Sequence, residues 1–472
     1  MEKKNRTIVW WLELIVKFGI LTVGFLEASS LTFGKPIISL FLWPTVFGGG
    51  VLLLIRLIHW KSYWKSKNFF LLIAFCASYL VSIVVNIRYG WYTNFRTLIW
   101  CALLFFLVYC YRAEDSVQEN MRQFKILSVY YLIMNAMLSI LSFAFMITGY
   151  SQIFYEEVGP IYYIGFHWGR LYGAYWDANI GAVMSCVGCV LAAGYFLKNR
   201  TTWMRVLLAL DIVLEVAYIA FSDSRTGQLC LCVATVTYIF LAIWKKKKIQ
   251  TTVLCVAAGL LVALLLPIGI KKGYNIVTER SIEQSTELAQ DLQDVPLDTV
   301  EGEIVADAEN DENLMSTQVV GRADEYSGDI TNRRSDIWKS AIEIFLTSPI
   351  VGISHNNVLP YVSDKLPNSY LITNDHMKFE SMHNVFFDIL VGQGIIGLAI
   401  YLTMAVIFLI VIIKKWNQIF SAIGVIGISC FVILMVMVTA SCVMTEIVYV
   451  TSPMATLFWM SMSCLIHAAE KE

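Results

Sequence analysis

The sequence predicts an all-α integral membrane protein with about twelve transmembrane helices and one large extracytoplasmic loop domain. Hydrophobic residues make up 57% of the 472 residues and charged residues only 15%, whereas soluble domains contain about 25% charged residues. The mean hydropathy of +0.64 is correspondingly high. Apolar runs long enough to cross a bilayer core of about 30 Å recur along the chain. The formal net charge of −1 does not indicate a nucleic-acid partner.

Twelve apolar runs are predicted to be transmembrane helices. They cover residues 8–27, 37–56, 69–87, 97–111, 126–148, 178–197, 203–221, 227–244, 251–270, 385–412, 418–438 and 446–466. The fourth run is short, and the first carries Glu13 and Lys17. These two runs are therefore the least typical of a helix that faces lipid.

Clusters of lysine and arginine indicate the orientation in the membrane. The clusters occupy residues 1–6, 56–67, 198–205, 245–248 and 414–415. If the chain crosses the membrane twelve times, all five basic clusters lie on one side together with both termini. The positive-inside rule makes that side cytoplasmic. The predicted division is therefore helices 1–9 in residues 1–270, an extracytoplasmic loop domain in 271–384, and helices 10–12 in 385–472.

The predicted outer domain has two contrasting halves. Residues 279–330 contain fifteen acidic residues and two arginines, which is typical of a solvated stretch. The acidic run at 306–313 lacks the glycine and the spacing of a calcium-binding loop. Residues 333–352 predict an amphipathic helix, because Ile337, Ala341, Ile344 and Phe345 share one face.

Four basic side chains are expected on the outer side of the membrane. Arg225 lies in "FSDSRTGQLC" (221–230), a short polar turn between the seventh and eighth helices. Alone, it would be interpreted as an arginine that reaches the lipid headgroups. Arg170, Arg334 and His383 are predicted on the same side. Guanidinium groups bind phosphate oxygens bidentately, and histidine is the usual general base at neutral pH. This combination suits a pyrophosphate donor and a hydroxyl acceptor.

Four motifs give the chain a family resemblance. They are "SDSRTG" (222–227), "GRLYGAYWDAN" (169–179), the R-x-x-x-W pattern at 334–338 and "HNVFFDILVGQGIIGL" (383–398). Together, and in the order in which the chain places them, they resemble the O-antigen ligase and polymerase superfamily of bacterial polysaccharide assembly, over about residues 165–412. The resemblance implies a C-type glycosyltransferase fold, in which arginines hold the donor pyrophosphate and a histidine of the outer domain acts on the acceptor hydroxyl.

The resemblance assigns roles by motif match. It implies that Arg170 and Arg225 bind the donor pyrophosphate, that Arg334 supports them, and that His383 is the catalytic base. His355, in "VGISHNN" (351–357), competes for the role of base. We favour His383, because its His-Asn pair directly precedes a membrane helix with glycines at 392, 394 and 397.

Two further residues are predicted to contribute to substrate binding. Asn384 adjoins the predicted base. Asp223 lies two residues before Arg225 in the turn at 222–227, the arginine turn. Asp223 is expected to orient Arg225 or to cap the eighth helix. No metal and no cofactor are expected, because arginine charge can stabilise the leaving group.

The predicted function is polymerisation of a polysaccharide. The enzyme would transfer an undecaprenyl-pyrophosphate-linked glycan to the hydroxyl of another lipid-linked repeat unit, on the outer face of the cytoplasmic membrane. A ligase that attaches the glycan to a different acceptor is the close alternative. A transporter or flippase of lipid-linked sugars is an alternative of another class, but transporters place their charged residues near the bilayer midplane. The expected partners are the lipid-linked donor, the glycan acceptor, membrane lipids and a chain-length regulator.

Overall fold

The computed structural model describes residues 3–154, 162–243, 248–293, 319–321, 333–374 and 379–470, without the side chains of residues 3–7 and 281–293. Most of the predicted acidic stretch 279–330 therefore lies outside the described residues. The helices of the described part are α1 (Lys3–Ala28), α2 (Ile37–Ile58), α3 (Phe69–Val85), α4 (Ile87–Leu103), α5 (Val117–Ile147), α6 (Ala178–Lys198), α7 (Thr202–Phe221), α8 (Arg225–Ile243), α9 (Ile249–Gln293), α10 (Arg334–Thr347), α11 (Val358–Lys365), α12 (Tyr370–Thr373), α13 (Val385–Lys414), α14 (Trp416–Ile423), α15 (Val425–Ser441) and α16 (Pro453–Glu470).

The described helices confirm a mostly helical, multi-pass membrane protein. A helix is present in each of the twelve predicted segments, but the last helix begins at Pro453 and leaves residues 446–452 in the preceding loop. Eight of the described helices are long and apolar enough to cross a bilayer, and α3 and α15 are apolar but shorter, with 17 residues each. The figure of twelve crossing helices remains a prediction. Helix α9 continues past residue 271, where we placed the start of the outer domain, and ends at Gln293.

The two least typical helices have local explanations. The fourth begins earlier than predicted, at Ile87, and a π-helical turn (Leu104–Tyr109) extends it. Glu13 and Lys17 of α1 have partners inside the bundle: Glu13 forms a 2.8 Å ion pair with Arg56, and Lys17 donates a 2.7 Å hydrogen bond to Gln123. Charged side chains within membrane helices are expected to face the bundle and to find partners there.

The loop after α5 forms a small sheet that the sequence analysis did not predict. Strands β1 (Gln152–Phe154), β2 (Tyr162–His167) and β3 (Arg170–Gly173) are antiparallel, in the order β1-β2-β3. Gly173 has a φ of +63°, and a Cβ built there would lie 2.1 Å from the side chain of Ser142. The sheet therefore packs directly on α5 and fixes Arg170 at the start of β3.

The predicted amphipathic helix is present as α10. It buries Ile337, Ala341 and Ile344 and half-buries Phe345. Ile337, Ala341 and Ile344 form a small apolar core with residues of α11 and α12. The outer domain thus has its own apolar core beside α13.

The segment after α10 is bound to an interruption in α13. Ile353 N donates to Val391 O (2.8 Å), and Ser354 N donates to Gly392 O (3.0 Å). Gly394 interrupts the helix with a φ of +64°. A Cβ there would lie 2.3 Å from the carbonyl oxygen of Ile350. The glycines of the His-Asn motif therefore allow close contact between two backbones.

Replacement of Gly394 by alanine is expected to destabilise the protein. The left-handed backbone alone costs about 1–3 kcal/mol for an L-residue, and the contact with Ile350 adds to this cost. The measurement is thermal unfolding of the detergent-solubilised protein. Gly273→Ala in α9 is the control, because no atom lies within 4 Å of the new Cβ and alanine favours helix by up to about 1 kcal/mol. Equal melting temperatures for both variants would contradict the expectation.

Candidate active site

Arg170 fastens the turn between α7 and α8. Its Nε donates to the carbonyl oxygen of Ser222 (2.8 Å), and its Nη2 donates to Oδ1 of Asn179 (2.9 Å). The same Asn179 oxygen accepts a hydrogen bond from Ser224 Oγ (2.9 Å). Arg170 is 8% exposed. The motifs at 169–179 and 222–227 therefore form one structural unit. Two guanidinium nitrogens of Arg170, Nε and Nη2, hold its parts together.

Arg225 is exposed at the first residue of α8. The cap of this helix comes from Ser224, whose Oγ accepts from Gly227 N (3.1 Å). Asp223, the residue that we expected either to cap α8 or to orient Arg225, forms a 2.8 Å ion pair with Lys271 of α9. The N-terminus of a helix carries partial positive charge and attracts anions. Arg225 and the start of α8 therefore form an electropositive edge.

His383 lies in a constrained loop immediately before α13. Its φ is +49°, in the left-handed region that non-glycine residues seldom adopt. Its backbone N donates to Ser381 Oγ (3.1 Å). The preceding residue, Met382, is held by α10, because Trp338 Nε1 donates to Met382 O (3.1 Å). The tryptophan of the R-x-x-x-W motif thus contacts the backbone next to the predicted base.

The carboxylate of Asp388 anchors the same loop. Oδ1 accepts from Met382 N (2.8 Å), and Oδ2 accepts from the hydroxyls of Ser381 (3.0 Å) and Thr445. Asp388 is 1% exposed. Sequence reasoning missed this residue, because an aspartate in the first turn of a helix is common and has no motif of its own. Its position five residues after His383, on the first turn that follows the loop, was the available signal.

The environment of His383 favours a neutral imidazole. Burial lowers the pKa of His383 below its ordinary value of 6.5, the Asp388 carboxylate acts in the opposite direction, and the Arg334 guanidinium lowers the pKa further. Asp177 raises it by a smaller amount. The side chain is half-buried and remains accessible in part. A neutral, accessible imidazole can accept a proton from a hydroxyl.

His355 has a different environment from His383. It is 8% exposed, and its ring stacks on Tyr449 with centroids 4.6 Å apart. Its Nδ1 lies 3.9 Å from Asp388 Oδ1. Burial lowers the pKa of His355, whereas the charges of Asp388 and Glu380 raise it. Although it lies close to the same carboxylate, its burial makes it less accessible to a substrate hydroxyl than His383.

Asn384 has a structural position. Its Oδ1 accepts from Phe386 N (2.9 Å) and Phe387 N (3.3 Å), so it is the N-cap of α13. Its Nδ2 donates to Cys442 O (2.8 Å) in the loop between α15 and α16. These contacts occupy both ends of the amide, and substrate binding by Asn384 remains a prediction.

The loop between α15 and α16 contributes a buried acid that sequence reasoning missed. Glu446 is 6% exposed, and burial raises the pKa of its carboxyl to about 8. A hydrogen bond with Ser452 lowers this pKa, and the charge of Asp177 raises it. Asp177 is the N-cap of α6 and also influences His383. The charge of Asp177 therefore acts on both Glu446 and His383.

The predicted site residues thus lie around one end of the helix bundle. Direct hydrogen bonds join Arg170 to the turn that carries Arg225, and electrostatic interactions connect His383 with Arg334 and with Asp177. Among the residues that the structure describes, no group of three or more His, Cys, Asp or Glu side chains is arranged to hold a metal ion.

Residues 210–402 match a family model described as O-antigen ligase. The resemblance to the O-antigen ligase and polymerase superfamily is confirmed. The matched segment contains the arginine turn, Arg334 and His383, and Arg170 precedes it. The match supports an activity of the ligase or polymerase type. A comparison with curated proteins gives no match.

Proposed function

We propose that the protein is a glycosyltransferase that polymerises a polysaccharide from polyprenyl-pyrophosphate-linked repeat units. The supporting observation is the arrangement at one end of the bundle: Arg170 holds the turn that presents Arg225, while a separate loop presents His383. This arrangement provides a cationic group for a pyrophosphate and a neutral base for a hydroxyl. Both are needed to transfer a sugar from a lipid pyrophosphate to an acceptor.

The proposed chemistry is one displacement at the anomeric carbon of the donor sugar. His383 accepts the proton of the acceptor hydroxyl, and the oxygen forms a bond to the anomeric carbon. The bond between that carbon and the pyrophosphate oxygen breaks, and the electron pair leaves with the polyprenyl pyrophosphate. The products are the lengthened glycan, the lipid pyrophosphate and the proton on His383, which returns to solvent.

The leaving group is assigned to the arginine side of the site. As it departs, the pyrophosphate gains negative charge, which a guanidinium and the N-terminus of α8 stabilise. Arg225 is exposed at the start of α8, and a guanidinium group binds two phosphate oxygens bidentately. Arg170 contributes mainly by holding the turn, since its Nε and Nη2 already donate to protein oxygens.

We assign this end of the bundle to the outer face of the cytoplasmic membrane. The site lies near the N-termini of α6 and α13. The basic clusters at 198–205 and 414–415 begin at Lys198 and Lys414, the C-terminal residues of the same two helices. Positive charge marks the cytoplasmic side of membrane proteins. A site on the outer face suits a lipid-linked donor, because such a substrate presents its headgroup at the membrane surface.

A ligase is the second candidate, because the matching family model is described as O-antigen ligase. It would perform the same displacement with a different acceptor, and the same residues would act. The difference lies in the acceptor alone.

Reconstitution with a lipid-linked repeat unit as the only sugar substrate tests the proposal. A polymerase is expected to produce a ladder of products that differ by one repeat unit on a gel. Absence of a ladder, together with transfer to an added non-repeat glycan acceptor, would favour the ligase. The control is a reaction without protein, and absence of transfer to either acceptor would contradict both proposals.

A further inference from the structure

Asp388 has more contacts with the loop that carries His383 (residues 381–384, the histidine loop) than helix capping requires. Asn384 already caps α13. Asp388 instead accepts from Met382 N and from Ser381 Oγ, two residues that precede the helix. Its second oxygen also accepts from Thr445, which lies in the loop between α15 and α16. One carboxylate therefore joins three parts of the chain around the predicted base.

These contacts determine the backbone at His383. Ser381 connects the two residues directly, because its Oγ donates to Asp388 and accepts from His383 N. The left-handed conformation of His383 is unfavourable and requires surrounding contacts to hold it. The hydrogen bonds of Asp388 to residues 381 and 382 supply these contacts immediately before the strained residue.

The same carboxylate is a charged neighbour of the imidazole. The charged groups that act on His383 are Asp388 of α13, Arg334 of α10 and Asp177 at the start of α6, and Asp388 is the strongest of the three. A negative charge beside an imidazole favours its protonated form, which is the form produced when a base accepts a proton. The carboxylate therefore acts on both the position and the basicity of His383.

We propose that Asp388 is a positioning residue that holds His383 in its left-handed conformation and stabilises the imidazolium formed when His383 accepts the acceptor proton. This inference rests on the proposed function in one respect, since it takes His383 as the base. Asp388 makes no contact with substrate in this role. It acts through the loop and through its charge.

The main test is Asp388→Asn, which keeps the size of the side chain and removes its charge. Its amide oxygen can still accept from Met382 N, and the hydroxyls of Ser381 and Thr445 can turn to accept from its amide group. Loss of the negative charge should lower the pKa of His383. We expect the acid limb of the pH–rate profile to move to lower pH by roughly 0.5–1 unit. Asp364→Asn, an exposed carboxylate paired with Arg88 on α4, is the control and should leave the limb in place.

A second measurement needs no transfer activity. Diethyl pyrocarbonate reacts with neutral imidazole, so its reaction with His383, followed by mass spectrometry across pH, reports the pKa of that side chain. In Asp388→Asn, the reaction should extend to lower pH. An unchanged profile would overturn the inference even if the wild type transfers sugar normally. If the wild type transfers no sugar but the profile moves, the proposed function fails and the influence of Asp388 on His383 stands.

A second variant separates position from charge. Ser381→Ala removes the hydroxyl that links Asp388 to His383 N but leaves the carboxylate in place. We expect the rate to fall by up to roughly 100-fold, as small misplacements of a reacting group do, with the acid limb unchanged. A normal rate in Ser381→Ala would show that the loop contacts do not position the base.

Discussion

His383→Ala is expected to reduce the rate of glycan transfer by roughly 10²–10⁴-fold, the usual contribution of a general base. The variant should still insert and fold, because the imidazole is half-buried and the contacts that shape its loop come from the backbone and from Asp388. Cells that carry it should accumulate lipid-linked single repeat units. The measurement is the rate of reconstituted transfer, together with the chain length of the lipid-linked glycan in cells.

The pH dependence follows from the state of the imidazole. A base must be neutral to accept a proton, so activity should fall as the pH drops through the pKa of His383. Burial lowers that pKa from 6.5, so the decline in the wild-type rate should be centred below pH 6.5. A decline centred above pH 7 would contradict this assignment.

His355→Ala is the matched control. His355 is buried against Tyr449, so its loss should reduce stability more than the transfer rate of the folded protein. If His355→Ala abolished transfer while His383→Ala remained active, the base would be His355 and our assignment would be wrong. The fold itself would not be affected by that result.

The helical, multi-pass character of the protein could be predicted from the sequence because lipid imposes a simple rule. A helix satisfies its own backbone polar groups, and in a bilayer core this requires about twenty apolar residues. Each of the predicted runs accordingly contains a helix in the structure. Amphipathic periodicity was also sufficient to predict α10. Its buried residues Ile337, Ala341 and Ile344 follow the helical repeat.

The sheet at 152–173 could not be predicted in the same way. Its strands contain three, six and four residues, and two are joined by the turn at Trp168 and Gly169. Strands this short show little alternation of apolar and polar residues. Their stability comes from packing on α5, as the close approach of Gly173 to Ser142 shows. Contacts of this kind depend on the tertiary structure.

Sequence motifs predict the cations and the base of the candidate site, and these roles remain predictions, but the motifs do not indicate the groups that contact these residues. Motifs indicated Arg225 and His383 without revealing what holds them. Arg170 was assigned to the pyrophosphate, yet two of its nitrogens bind the turn through Ser222 and Asn179. Asp388, whose one signal is its position five residues after His383, and Glu446, which lies in no motif, were missed. Their importance depends on burial and on contacts between distant segments.

Arg225→Lys is expected to reduce transfer almost as much as Arg225→Ala. Lysine keeps the positive charge but lacks the planar fork that donates to two phosphate oxygens at once. Loss of one preorganised group that stabilises developing charge reduces the rate by roughly 10²–10³-fold. Arg225 is exposed at the start of α8, and its helix is capped by Ser224, so the amount of folded protein should not change. Reconstituted transfer at saturating and at limiting donor concentrations measures the effect.

Arg200→Lys is the matched control for this substitution. Arg200 is exposed between α6 and α7, at the opposite end of the bundle, so the same exchange should leave transfer unchanged. An arginine that only reached the lipid headgroups would tolerate lysine as well, because lysine also extends its charge to the interface. Full activity of Arg225→Lys would therefore assign Arg225 to the headgroups. If Arg225→Lys loses transfer activity and Arg200→Lys does not, activity requires the guanidinium group of Arg225. Bidentate binding of a pyrophosphate has the same requirement.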